Sequence, residues 1–197
     1  MNDRPYHHGD LRRAVLVAAL DVIATDGPAG LSLRDLARRA GVSHAAPAHH
    51  FRDRTGLLTA IAAEGHALLA AELTEATDLR DAGARYVRFA REHPAHFQVM
   101  FSPELLRADD LELTTARALS AAALTGAVTT DAVTTDAVTT GAPAGDGPDA
   151  RLARIAVWSL AHGFATLLLG HNLDGLLDGE DPEAVLRALP MMLMPPA

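Results

Sequence analysis

The sequence contains no cysteine and no lysine, and aromatic residues occupy only 4% of its 197 positions. The absence of cysteine excludes disulfide-rich folds, thiolate zinc sites, iron–sulfur clusters and cysteine nucleophiles. With so few aromatic side chains, the core has to be built mainly from Ala, Leu and Val, which favours helices over sheets. Residues 1–10 hold no apolar run, so we expect no secretory signal and a cytoplasmic location.

Charge is divided unevenly along the chain. Residues 1–60 carry eight Arg and six acidic residues, whereas residues 61–197 carry nine Arg and nineteen acidic residues. The net charge of −8 by itself argues against a nucleic-acid partner. The basic first segment nevertheless favours one, because it forms a small cationic module ahead of an acidic body.

Apolar residues recur at helical spacing along most of the chain, and strand alternation is absent outside one repeat. The periodicity, together with Ser, Gly and Pro boundary signals, predicts an all-α protein. We predict helices over about 10–26, 32–40, 43–50, 55–69, 81–92, 103–124, 149–169 and 182–190. Residues 155–173 lack Asp, Glu and Arg, but their His, Asn and Ser residues favour a buried helix over a membrane span. Residues 127–141 repeat the unit AVTTD, and we expect a disordered linker over about 125–149.

Residues 32–51 read SLRDLARRAGVSHAAPAHHF and carry the clearest chemical signal. Ser32 caps one short helix, Gly41 allows a sharp turn, and Ser43 caps a second helix almost at once. Two short helices joined by such a turn are typical of a helix-turn-helix, whose second helix enters the major groove of DNA.

These residues also carry a family resemblance. The spans GDLRRAVLVAALDVIATDG and SLRDLARRAGVSHAAPAHHFRDRTGLLTAI resemble the N-terminal domain of the tetracycline-repressor-like (TetR) family of transcriptional regulators. The segment VWSLAHGFATLLL resembles a subgroup with a Trp-x-x-x-His-Gly signature, at Trp158, His162 and Gly163. The resemblance implies a DNA-binding domain over 1–69 and an effector-binding and dimerisation domain over 81–197.

The resemblance also implies the DNA-binding residues, with the reading helix at residues 43–50. The residues expected near bases or phosphates are Arg34, Ser43, His44, Ala45, Pro47, Ala48, His49 and Arg54. The family usually has Tyr at the position of Ala48 and Lys at that of Arg54. Loss of the Tyr removes one phosphate hydrogen bond, whereas Arg54 keeps the positive charge. The histidine spacing indicates no metal site, and nothing indicates a cofactor or a catalytic group.

Trp158 and His162 stand four residues apart and share a helical face. Together with apolar side chains from residues 86–101, they could line an apolar effector pocket that has one polar group. The alternative interpretation is that all of these side chains belong to the core. The candidate lining residues are Tyr86, Phe89, Phe97, Met100, Phe101, Trp158 and His162.

The sequence therefore predicts a ligand-responsive repressor that binds a palindromic double-stranded operator as a homodimer, with an unidentified small-molecule effector and no membrane partner. The helices at 150–170 and 182–193 are the predicted dimer contacts. A ligand-binding helical dimer without DNA binding and a transcriptional activator remain as alternatives.

Overall fold

The computed structural model of the chain describes residues 8–136 and 148–193. Every regular element in these two ranges is helical, which confirms the predicted all-α class. By contacts the chain divides into two compact units. The N-terminal unit comprises Met1–Gly65 and Pro94–Thr115, and the C-terminal unit comprises His66–His93 and Ala116–Ala197.

The N-terminal unit is built around the first four helices and a later short one. It contains α1 (His8–Asp26), a 3-10 turn (Pro28–Gly30), α2 (Leu33–Arg39), α3 (Ala46–Phe51), the first half of α4 (Arg54–Thr74), α6 (Pro94–Met100) and a 3-10 turn (Pro103–Leu105). Its core consists of side chains from the apolar faces of these helices, among them Leu16, Ile23, Leu36, Leu57 and Ile61. The sequence predicts an N-terminal domain that ends near residue 69 and therefore does not include residues 94–115. A helical pattern alone cannot assign that segment to either unit.

The C-terminal unit is organised by α5 (Leu79–Glu92), which packs against two later helices. These are α8 (Pro148–Leu169) and α10 (Pro182–Leu193), and a short α9 (Asp174–Leu177) lies between them in the sequence. The buried face of α5 carries Tyr86, Val87 and Phe89. Helix α8 ends at Leu169 and only one of its faces is buried, so the prediction of a buried helix at 155–173 is correct only for that face and as far as residue 169.

Helix α4 is the one helix among the described residues that is long and apolar enough to cross a membrane. Within the structure 61% of its apolar window is buried, as in the core helix of a folded domain.

Two further sequence predictions differ from the structure. Helix α7 (Leu111–Asp136) continues through the first part of the predicted linker, residues 137–147 lie outside the described residues, and α8 begins at Pro148. The part of the repeat up to Asp136 contains neither Pro nor Gly, so a helix already formed upstream can propagate that far.

The second difference concerns the start of the third helix. It was predicted at Ser43 with a serine cap, but α3 begins at Ala46 and its N-cap residue, Ala45, makes no side-chain capping bond. The Ser43 carbonyl accepts a hydrogen bond from the Ala46 N–H at 3.0 Å, so Ser43 to Ala46 form a turn that precedes the helix.

Candidate nucleic-acid interface and ligand site

Ser32, Gly41 and Val42 define the two ends of α2, which precedes the turn to α3. The Ser32 hydroxyl accepts from the Asp35 N–H at 3.5 Å and caps α2, as predicted. Helix α2 ends at Arg39, and Gly41 two residues later has a φ of +66°, in the left-handed region that a side chain disfavours. The Val42 N–H donates to the Ala37 carbonyl at 3.0 Å, which closes the end of the helix. Local chemistry thus fixes where α2 ends and where the turn towards α3 begins.

The structure places most of the predicted DNA-binding side chains on the surface. Ser43, His44 and Ala45 in the turn are exposed, and so are Ala48 and His49 on α3. They form a surface with two imidazole groups and little other hydrogen-bonding capacity.

Pro47 does not belong to this surface. Its side chain is among those that are fully buried, so it packs beneath α3 and is not available to a base or a phosphate. As the second residue of α3, proline also removes an N–H that would have no partner within the helix. The prediction that Pro47 lies near DNA is therefore corrected.

The two predicted phosphate-binding arginines differ in their surroundings. Arg34 is exposed on the first turn of α2 and forms no ion pair within the described residues. Arg54 instead donates from Nη2 to the Pro28 carbonyl at 2.6 Å and is partly buried. This bond ties the start of α4 to the 3-10 turn after α1, a structural role that the sequence did not indicate.

In the C-terminal unit, Tyr86, Trp158 and His162 come together. The Tyr86 hydroxyl lies 2.9 Å from Nδ1 of His162, and the Trp158 and His162 rings stack with centroids 5.5 Å apart. Burial raises the pKa of Tyr86 and lowers the pKa of His162, so both side chains are neutral at pH 7. The three side chains form a neutral polar cluster, with Trp158 still 45% exposed.

The remaining predicted lining residues are divided between the units. Phe89 is buried on α5 in the C-terminal unit and packs against His93. Phe97, Met100 and Phe101 belong to the N-terminal unit, where the Phe97 and Phe101 rings lie 5.0 Å apart.

The structure also shows a buried polar pair that the sequence prediction missed. In the C-terminal unit, Nδ1 of His66 on α4 lies 3.1 Å from the Ser120 hydroxyl on α7, which donates to the Arg117 carbonyl at 3.0 Å. Burial, together with the charge of Arg117, lowers the pKa of His66 to about 4. Since the two residues are 54 positions apart, no local pattern could have paired them.

Comparison with protein families gives two matches on this chain. Residues 15–61 match the family described as "Bacterial regulatory proteins, tetR family". Residues 79–192 match the family described as "Tetracyclin repressor-like, C-terminal domain". Comparison with curated proteins gives no match.

Solved structures agree with these matches. A protein of unknown function from Rhodococcus sp. RHA1 is 37% identical over 95% of each chain, with a TM-score of 0.71. The TetR-family transcriptional regulator PfmR from Thermus thermophilus is 24% identical over 89% of this chain and 93% of its own, with a TM-score of 0.61. The transcriptional regulator FadR from Bacillus subtilis is 17% identical over 93% of this chain and 97% of its own, with a TM-score of 0.60.

Proposed function

Because the chain belongs to the TetR family of DNA-binding, ligand-responsive transcriptional regulators, we propose that it acts as a cytoplasmic homodimeric repressor. In this proposal two copies of α3 occupy successive major grooves of a palindromic operator, and a small molecule bound in the C-terminal unit lowers the affinity for DNA. The observation that carries the proposal is the exposed surface of the turn and α3, held out by the capped α2 and the left-handed Gly41.

The exposed residues have two proposed roles, contact with base edges and contact with the phosphate backbone. His44 and His49 carry ring nitrogens that can hydrogen-bond to base edges, and the methyl group of Ala48 suits contact with a thymine methyl. Arg34 supplies a charge for the phosphate backbone, which contributes affinity without sequence preference. With an Ala at position 48, discrimination between sequences depends mainly on the two histidines.

A matched pair of arginine variants tests the DNA contact. The DNA is the fragment that the unaltered protein selects from a randomised library, with a scrambled fragment of equal length as the non-specific probe. Arg34→Gln should weaken binding to both fragments and reduce the slope of log affinity against log salt by about one, because one phosphate contact is lost. Arg38→Gln is the control, since Arg38 is exposed on the same helix but pairs with Asp35. Equal slopes for Arg34→Gln and the unaltered protein would contradict the assignment.

The exposed face of α8 supports the proposed dimer. Leu152 is 63% exposed, and Ile155 and Leu167 are each 47% exposed, an apolar surface that association would bury. Ile155→Asp should yield monomers in sedimentation and weaken operator binding by at least about tenfold, because one half-site contact is lost. Leu176→Asp is the control, since Leu176 is 81% exposed but lies on α9. A dimer that survives Ile155→Asp would place the contact elsewhere.

The Tyr86, Trp158 and His162 cluster is the proposed effector site. A neutral hydroxyl and a neutral imidazole beside a stacking indole suit an uncharged or largely apolar small molecule with one hydrogen-bonding group. Of the structural neighbours, FadR is in complex with stearoyl-CoA, a ligand whose acyl chain is apolar although its coenzyme A part carries charged phosphates. Quenching of Trp158 fluorescence in a small-molecule screen tests the site directly, because Trp158 is the single tryptophan of the chain. A quenching compound that leaves operator affinity unchanged would contradict an effector role.

A further inference from the structure

The corner between α3 and α4 is strained. Arg52 has φ of 68° and ψ of −59°, and the Asp53 N–H donates to the Phe51 carbonyl at 2.9 Å, which closes a γ-turn around Arg52. A side chain in this conformation is unfavourable, so the corner persists only where its surroundings hold it. This corner is where the proposed recognition helix leaves the rest of the N-terminal unit.

Asp53, the residue after Arg52, is held in place by two hydrogen bonds to its carboxylate. Its Oδ1 accepts from the Gly56 N–H at 2.8 Å, and its Oδ2 accepts from Nη2 of Arg107 at 2.6 Å. The Arg107 backbone N–H also donates to the Thr59 hydroxyl at 3.0 Å, one turn further along α4. The Gly56 hydrogen bond and, to a smaller extent, Arg107 lower the pKa of Asp53.

Phe51, the residue before Arg52, is held in place by packing. Its ring is buried, with the Arg12 guanidinium 5.5 Å from its centroid. Nη2 of Arg12 in turn lies 3.8 Å from Oε2 of Glu112, so Glu112 is linked to Phe51 only through Arg12. Gly56 makes this close fit possible, because a Cβ there would lie 2.0 Å from the Phe51 carbonyl and 2.8 Å from Nη1 of Arg107.

We propose that Arg107 is a positioning residue for DNA recognition: through its bond to Asp53 it locks the strained Arg52 corner and fixes the direction of α3. The inference rests on the proposed function, because a fixed direction of α3 affects recognition only if α3 binds DNA. Without the bond the corner relaxes, α3 samples several orientations, and sequence discrimination falls while non-specific attraction to phosphates persists.

Hydrogen exchange on the free, full-length protein tests the lock without DNA. The reporters are the amides of Arg52 and Asp53, which donate to the Ala48 and Phe51 carbonyls. Arg107→Gln should accelerate their exchange at least about threefold, because opening the corner no longer breaks an ion pair. Arg13→Gln is the matched control, since it removes an ion pair with Glu64 in the same unit without touching the corner. Unchanged exchange in Arg107→Gln overturns the inference.

Binding to the selected and scrambled fragments tests the consequence. Arg107→Gln should lower affinity for the selected fragment about three- to tenfold and leave affinity for the scrambled fragment and the salt slope unchanged. Asp53→Asn keeps an oxygen that can cap α4 but loses the charge, so adding it to Arg107→Gln should cause little further loss. A salt slope reduced by about one would instead place Arg107 on a phosphate and overturn the positioning role.

The two measurements separate this inference from the proposed function. If the unaltered protein selects no sequence but Arg107→Gln accelerates exchange at the corner, the lock stands as a structural element and its role in DNA recognition is overturned. If the unaltered protein selects a sequence and Arg107→Gln changes neither measurement, the lock is overturned and the proposed function stands.

Discussion

The buried His66–Ser120 pair makes the stability of the fold depend on pH. The pKa of His66 is about 4 in the folded chain against an ordinary value of 6.5, because burial and Arg117 disfavour the charged ring. The unfolded chain therefore binds a proton at His66 over a pH range in which the folded chain does not. The stabilisation is fully present above pH 6.5 and is lost as the pH falls towards 4.

The magnitude follows from the two pKa values. Between pH 7.5 and pH 5, His66 alone should lower the free energy of unfolding by about 2 kcal/mol. His66→Gln removes the titrating ring but keeps an N–H that can reach the Ser120 hydroxyl. Over the same pH interval, the free energy of unfolding of the variant should therefore fall by about 2 kcal/mol less than that of the unaltered chain.

Urea unfolding followed by circular dichroism at pH 7.5 and pH 5 measures this difference. His44→Gln is the matched control, since that side chain is exposed, and it should keep the pH dependence of the unaltered chain. Equal losses in His66→Gln and the unaltered chain would show that the pKa of His66 is not depressed in the folded chain.

Three further substitutions probe other parts of the fold in the same unfolding assay. Gly41→Ala should cost about 1 kcal/mol, because a side chain there must adopt the left-handed φ of +66°, and an unchanged midpoint would contradict the turn geometry. Tyr86→Phe should cost about 1 kcal/mol through the lost hydrogen bond to His162, and a gain in stability would show that the bond does not form. Gly126→Ala should stabilise the chain by about 0.8 kcal/mol, since α7 is helical there and nothing lies within 4 Å of the added Cβ. A null effect at Gly126 would favour the linker predicted from the sequence.

The features that the sequence predicted correctly depend on neighbours in the chain. Ser32 bonds to the Asp35 N–H three residues away, and Gly41 ends α2 by its own backbone freedom. Such signals are local, so periodicity and capping chemistry are sufficient to find them. They were sufficient for the helix-turn-helix and for the all-α class.

The features that the sequence could not predict depend on distant partners. Arg54 finds the Pro28 carbonyl 26 residues back, Asp53 pairs with Arg107 over 54 positions, and Tyr86 meets His162 over 76. The predicted start of α3 at Ser43 is wrong for a different reason. It has the chemistry of a helix cap, but the chain forms a turn after it, and α3 begins three residues later.

The proposed function requires two copies of α3 to bind one DNA duplex. Sequencing the fragments that the unaltered protein selects from a randomised library, with the number of chains bound per fragment measured by sedimentation, tests this most directly. A homodimer should select inverted half-sites about 10 base pairs apart, or a multiple of that spacing, with two chains or a multiple of two on each fragment. A single, non-repeated motif bound by one chain, or no enriched sequence, would contradict it.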